Sequence, residues 1–145
     1  MKQIPQTENP LVLRTDFSSQ DVWEEICGTI REPVGDFGFL ANVEFLDNAE
    51  YSGIYKARLL ELLPKNYNHS FIIIVDRTSI TLLDHPLLIV DLYERSGYEF
   101  RAIPSQVQAI ENNLSIANMD FEEFADAVDE DGVFRGFPMS DLLNL

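Results

Sequence analysis

Three aspartates stand where strands of this chain are predicted to end. Asp16 follows the β-rich run LVLRT, Asp76 closes FIIIV, and Asp91 lies late in LLIVD. Ligands of open α/β sheets bind beyond the carboxyl ends of parallel strands, and carboxylate oxygens are the ligands that Mg²⁺ prefers. With Arg14 or Arg77 beside them, these acids form one candidate ligand site. Asp also caps helices and turns, so the same residues have a purely structural interpretation.

A second candidate is the segment ENNLSIANMDFEEFADAVDEDGVFRGF, residues 111–137. Its amides are unfavourable inside a helix because they compete for backbone hydrogen bonds, so they either tie a helix corner together or line a recognition surface. Seven acids and no base follow between residues 120 and 131. The predicted partner-binding residues are Asn112, Asn113, Asp126, Asp129, Glu130 and Asp131.

Known catalytic and cofactor motifs do not match. The scattered glycines form neither GxGxxG nor a P-loop, and AVDEDG lacks the carboxylates that an EF-hand needs at its first and last positions. His69 and His85 lack the spacing of a zinc site, and no GxSxG nucleophile elbow is present. The sequence therefore predicts no catalytic residue, no metal site and no cofactor.

Composition limits the choice of partner. The chain has 145 residues, a formal charge of −15 and 46% hydrophobic residues, which suits one domain over residues 1–145 with a well-filled core. Residues 1–9 are expected to be a loose lead-in and residues 138–145 a C-terminal tail. A surface this acidic repels nucleic-acid phosphates and anionic lipid headgroups. We therefore expect no nucleic acid and no membrane as partner, and either a basic protein surface or simple solubility as the use of the charge.

One cysteine, Cys27, excludes an internal disulfide and fits a reducing compartment. It lies among the apolar positions of a predicted helix, which indicates a small buried side chain rather than a nucleophile. No N-terminal run resembles a signal peptide and no stretch reaches membrane-spanning length. The expected location is the cytoplasm.

Periodicity predicts the order β-α-β-α-β-β-β-α-α. The predicted strands are residues 11–15, 39–46, 70–76, 86–93 and 98–103; the predicted helices are 16–33, 48–64, 104–118 and 120–131. The apolar runs of the third and fourth strands do not alternate, which is typical of strands covered on both faces. We therefore predict an α/β fold, a three-layer mixed sheet of about five strands with helices on both faces.

Several pieces of the chain resemble a family. RTDFS, VDRTSI, IVDLYE and above all ENNLSIANMDFEEFADAVDEDGVFRGF are similar to a bacterial family catalogued as a domain of unknown function. The resemblance extends over residues 9–137. It implies a small, free-standing cytosolic protein and carries no activity or catalytic residue with it.

Two functions of different kinds are consistent with these patterns. The first is a non-enzymatic interaction protein, similar to an inhibitor or immunity protein, whose acidic helical face at 120–131 contacts a basic partner. The alternative is a small α/β enzyme or ligand-binding domain that uses the strand-end carboxylates. A DNA mimic is a third possibility, which would require acids spaced along one face like the phosphates of a duplex.

Overall fold

The computed structural model describes residues 3–138, which form a mixed sheet with helices on both faces. The strands are β1 (Leu11–Arg14), β2 (Glu44–Leu46), β3 (Phe71–Val75), β4 (Leu87–Asp91), β5 (Glu99–Ala102) and β6 (Val133–Phe134). The helices are α1 (Gln20–Arg31), α2 (Lys56–Glu61), α3 (Arg77–Thr81), α4 (Val107–Ser115) and α5 (Phe121–Ala125). The predicted α/β fold is confirmed, with the short strand β6 beyond the five expected.

Strand directions decide which residues can meet. The sheet order is β2-β1-β3-β4-β5-β6. β1 runs parallel to β2 and β3, β4 is antiparallel to both β3 and β5, and β6 is parallel to β5. The carboxyl ends of β1, β2, β3, β5 and β6 therefore lie at one end of the sheet, and the carboxyl end of β4 lies at the other.

The two central strands are covered on both faces, as their apolar runs predict. Ile73 and Ile89 join a core cluster with residues of α1, α4 and α5. Their neighbours Ile72 and Val90 join a second cluster with residues of α2. Successive side chains of a strand point to opposite faces, so runs without alternation fill both layers of core.

Helix α1 follows its predicted apolar stripe. The buried residues on it are Trp23, Ile26, Cys27 and Ile30. Its N-cap is Ser19, whose hydroxyl accepts a hydrogen bond from a first-turn backbone N–H at 3.2 Å. Burial raises the pKa of the Cys27 thiol to about 11. This agrees with the prediction of a buried, small side chain, because a thiolate is scarce at neutral pH.

Phenylalanines attach α5 and β6 to the sheet. The ring of Phe100 in β5 lies 4.9 Å from that of Phe121 and 6.4 Å from those of Phe124 and Phe134. Phe137 packs 5.1 Å from Phe134. Phe134 therefore belongs to the core and Phe137 packs half-buried against it, and the two fix the end of the segment that begins at residue 111.

The predicted second strand and second helix are shorter than expected. The strand is limited to Glu44–Leu46, because residues 34–39 form a small turn closed by a bridge between Val34 and Phe39. The helix is divided into a 3₁₀ turn at Ala49–Tyr51 and α2. Gly53, at a φ of 71°, breaks it and donates its N–H to Thr15 O at 2.7 Å.

Helix α3 was not predicted. It begins after Asp76, whose carboxylate accepts from Ser79 N at 3.2 Å while the Ser79 hydroxyl accepts from Asp76 N. This capping box satisfies the free N–H groups of a first turn. A helix of five residues is too short to show a 3.6-residue period, so periodicity does not detect it.

The N-terminal lead-in is not loose where it is described. Ile4 is fully buried against the α2 face of the sheet, and its N–H donates to Leu62 O at 2.8 Å. Gln6 donates to Asn66 O at 2.8 Å. The predicted C-terminal tail, apart from Pro138, lies outside the described residues. Within residues 3–138 no helix is long and apolar enough to cross a membrane.

Candidate functional site

The three strand-end carboxylates do not come together. Asp16 and Asp76 follow the parallel strands β1 and β3 at one end of the sheet. Asp91 lies in antiparallel β4 and is paired with Phe71, at the opposite end of β3. Five residues of strand separate Asp76 from Phe71, which corresponds to about 16 Å. The expected convergence is wrong because it assumed parallel strands, and β4 runs the other way.

Asp76 is fully engaged in structure. Arg101 donates to its two oxygens at 2.9 and 2.8 Å, and Ser79 donates to it from the first turn of α3. Burial alone would raise the pKa of Asp76, but the hydrogen bonds and charge of Arg101 outweigh it, and the pKa is lowered. Asp16 likewise accepts from the backbone N–H and hydroxyl of Ser18.

The two arginines of the strand-end candidate also separate. Arg14 is 2% exposed and its guanidinium lies 4.3 Å from the ring centre of Phe17, with hydrogen bonds to Gln20 at 2.9 Å and Asp47 at 3.3 Å. Arg77 is exposed on α3. Across residues 3–138 no three His, Cys, Asp or Glu side chains are arranged to hold a metal ion.

The amides mainly build the corner between α4 and α5. Asn113 donates to Ala109 O at 2.7 Å and accepts from the Asn118 amide at 2.8 Å. The Asn118 backbone N–H also donates to Asn113 O at 2.9 Å. Asn112 instead reaches across to the loop before β2, where it donates to Leu40 O at 3.0 Å. Of the two interpretations of the amides, the contacts therefore favour the structural one for Asn113.

The acidic helical face expected at 120–131 does not exist as one helix. α5 ends at Ala125, and Asp126 is its C-cap. Asp129 and Glu130 lie in the turn that precedes β6, closed by a hydrogen bond from Gly132 N to Asp129 O at 2.9 Å. The helix stops because β6 must pair with β5, so the chain has to reverse here.

Two of the predicted contact acids are already paired. Arg135 donates to Asp129 at 2.9 Å, Asp131 at 2.8 Å and Asp84 at 2.9 Å. Its hydrogen bonds lower the pKa of Asp131, and the three carboxylates raise the pKa of Arg135. Asp126 and Glu130 are exposed, and neither has an ion pair within the described part of the chain. The acids at 126–131 are thus half neutralised by one arginine.

A different surface collects unpaired acid. Residues from the segments 8–10, 68–71, 91–94 and 111–121, together with Asn42, line two adjoining hollows of about 320 and 490 Å³ that share Pro10, His69 and Ser115. We call this surface the acidic cleft. It lies at the carboxyl end of β4 and beneath the corner between α4 and α5, so it unites Asp91 and Asn112 from the two sequence-predicted candidates.

The cleft is lined by acids without lysine or arginine. Its acidic side chains are Glu8, Asp91, Glu94, Glu111 and Asp120, and among the described residues its lining basic side chain is that of His69. The nearby Arg95 guanidinium lies over the Tyr98 ring, 4.0 Å from its centre. Asp91 also closes the turn to β5 by accepting from Tyr93 N at 2.9 Å and Arg95 N at 3.0 Å.

Glu111 is the most unusual of these acids. It is 3% exposed, although a buried charge is normally paired with an opposite one. Its Oε1 accepts from Asn42 N at 2.6 Å and from the Asn112 amide at 2.8 Å. These bonds connect α4 to the loop before β2. No described residue donates to Oε2.

Two large apolar side chains stand at the rim. Tyr93 is 77% exposed and lines the smaller hollow, and Ile116 is 74% exposed and lines the larger one. His69, between the hollows, has Nε2 at 2.8 Å from Thr7 O, which assigns the proton to Nε2. The cleft therefore combines negative charge with exposed apolar surface.

A protein-family model matches residues 9–137 of this chain. The chain belongs to the DUF6924 family, a domain of unknown function. The matched region contains every acid of the cleft except Glu8. No curated protein matches the chain. Membership in DUF6924 thus confirms the resemblance without adding an activity.

Proposed function

We propose that this DUF6924 protein is an interaction module that binds a basic surface of another protein in its acidic cleft, as an inhibitor or immunity protein does. The observation that supports this most is the set of five cleft acids without a lysine or arginine among the described lining residues. Complementary charge accelerates association and excludes wrong partners. We place this activity in the cytoplasm, in keeping with the single buried cysteine.

The apolar side chains at the rim of the cleft can supply binding energy that charge alone does not. Exposed ion pairs add little affinity, and interface energy comes mostly from a few aromatic or apolar anchors. Tyr93 and Ile116 are available for this role on either side of the cleft. Asp126, at the end of α5, and Glu130, in the turn after it, are further exposed acids outside the cleft.

Affinity capture at low salt from a lysate of the organism that encodes the chain tests the proposal. Three baits are compared: the natural protein, a cleft variant with Glu8→Gln and Glu94→Gln, and a control with Asp21→Asn and Glu50→Gln. All four substituted residues are exposed, and each variant loses two charges. We expect a basic protein to be retained by the natural and control baits and lost by the cleft variant. Equal retention on all three baits would contradict the proposal.

A further inference from the structure

Glu111 brings a buried negative charge to the cleft with no counter-ion. Its side chain lines the larger hollow, and no basic residue among those described forms an ion pair with it. Leaving a buried charge uncompensated is costly for folding. A cationic ligand at this position would supply the missing opposite charge.

The geometry at Glu111 discriminates between cations. Oε1 is occupied by Asn42 N and the Asn112 amide, so one oxygen, Oε2, is left for a ligand. A guanidinium binds carboxylates best through two parallel hydrogen bonds, one to each oxygen. An ammonium is a compact point charge with three donors and needs only one oxygen. The free oxygen therefore favours a primary ammonium over a guanidinium.

The surroundings of Glu111 suit the alkyl chain that carries such an ammonium. Pro10 and Ile116 line the same hollow and offer apolar surface to a methylene stem. Glu8 lines it as well and adds a second negative charge. A volume of about 490 Å³ is in the range of ligand pockets and exceeds the needs of one extended side chain.

We infer that the acidic cleft binds a lysine side chain of the partner, with its ammonium group at Oε2 of Glu111 and its stem against Pro10 and Ile116. This inference rests on the proposed function and makes it specific, because it names the residue type that the partner inserts. It also assigns Glu111, which the sequence does not single out, as the central binding residue of the cleft.

Amide chemical shifts of the ¹⁵N-labelled protein test the inference with three probes. The probes are the acetylated, amidated tripeptides Gly-Lys-Gly, Gly-Arg-Gly and Gly-norleucine-Gly, whose side chains have similar alkyl stems and differ in the head group: an ammonium, a guanidinium and none. We expect saturable shifts at Ile116 and Asn42 with the lysine peptide and none with the norleucine peptide. The arginine peptide should bind more weakly. Equal binding of the norleucine peptide, or tighter binding of the arginine peptide, would overturn the inference.

Glu111→Gln is the variant that isolates the free oxygen. Its carbonyl can still accept from Asn42 N and the Asn112 amide, while an N–H₂ group replaces Oε2 and opposes a cation. We expect affinity for the lysine peptide to fall roughly tenfold or more, as for loss of a charge-assisted hydrogen bond. Unchanged affinity in a folded Glu111→Gln protein would refute the assignment. The control Asp21→Asn, at the start of α1, should bind as the natural protein does.

The two proposals can fail separately. If a captured basic protein depends on Glu8 and Glu94 but the lysine peptide does not bind, the interaction function stands and the lysine assignment falls. If the lysine peptide binds through Glu111 but no basic protein is captured, the cation site stands and the protein-binding function falls.

Discussion

The acids at one end of the sheet form ion pairs with arginines, and those of the acidic cleft do not. At the carboxyl ends of β1, β3, β5 and β6, Arg101 binds Asp76 at 2.8 Å and Arg14 reaches Asp47 at 3.3 Å. Arg135 joins three further aspartates there: Asp84, Asp129 and Asp131. We call this region the paired end. In the cleft, five acids have no lysine or arginine among the described lining residues.

The difference separates two uses of the same residue type. Carboxylates at the paired end bind arginines, which neutralise their charge within the molecule. Carboxylates in the cleft, such as Asp91 and Glu111, accept hydrogen bonds from uncharged N–H groups, so their charge is left without an opposite one. A count of acids along the chain does not distinguish the two, because the decisive variable is where the arginines lie.

The largest expected effect is on stability at the paired end. Asp76→Asn keeps a helix cap for α3 but removes the charge that Arg101 binds, and we expect it to lower the free energy of unfolding by about 2 kcal/mol at pH 7. The folded-state pKa of Asp76 lies below its ordinary value of 3.8. This contribution is therefore present above pH 4 and is lost as the pH falls through the folded-state pKa. Urea unfolding at pH 7 and pH 3 measures it.

If Asp76→Asn lowers the free energy of unfolding by as much at pH 3 as at pH 7, this account is contradicted. The matched control is Asp21→Asn, an exposed aspartate of α1 whose side chain has no ion pair among the described residues. Its unfolding should change little at either pH.

In the cleft we expect a substitution that removes a carboxylate to change the free energy of unfolding in the opposite direction. Glu111→Gln removes an uncompensated buried charge while keeping both accepted hydrogen bonds, and should raise the free energy of unfolding by about 1 kcal/mol. Glu111→Ala loses the acceptor for Asn42 N and should lower the free energy of unfolding by about 1 kcal/mol. Thermal unfolding of the two variants beside the natural protein measures both. Clear destabilisation by Glu111→Gln would place Glu111 among the structural acids.

The smallest expected effect is that of removing the acids around Arg135 on the capture of a basic protein. Asp129→Asn with Asp131→Asn removes two charges that Arg135 already neutralises, so capture of a basic protein should remain as for the natural bait. The same number of charges removed at Glu8 and Glu94 should abolish capture. Quantification of the retained protein at several salt concentrations makes the comparison. If the Asp129/Asp131 variant loses the partner, the original prediction of a contact surface at 126–131 is right and the cleft is not the site.

Much of the fold follows from local sequence signals. The runs FIIIV and LLIVD, the stripe of α1 and the phenylalanines around β5 are dictated by hydrophobic pattern, which reports burial directly. Hydrophobic pattern does not reveal helix α3, because five residues do not complete two turns. It does not reveal the end of α5 either, because the turn after Asp126 is set by the pairing of β6 with β5, which is a tertiary contact.

The site is harder to predict because it depends on strand direction and arginine placement. Asp91 was expected near Asp76, and the antiparallel β4 places it in the cleft instead. Glu111 does carry a local signal: it lies beside Ile110 and three residues before Leu114, on the edge of the apolar stripe of α4. An acid at such a position is buried, and a buried acid needs an explanation. That Glu111 has no oppositely charged partner can be recognised only from the folded structure, in which the loop at 40–42 packs against α4.

The most direct test of the central claim is carboxylate footprinting of the protein, free and bound to its captured partner. A water-soluble carbodiimide and a small amine label accessible acids, and mass spectrometry reads the labelling site by site. The account predicts that Glu8, Glu94 and Asp120 become protected in the complex while Asp21 and Glu50 label as before. Protection confined to residues 126–131, or absent from the cleft acids, would contradict it.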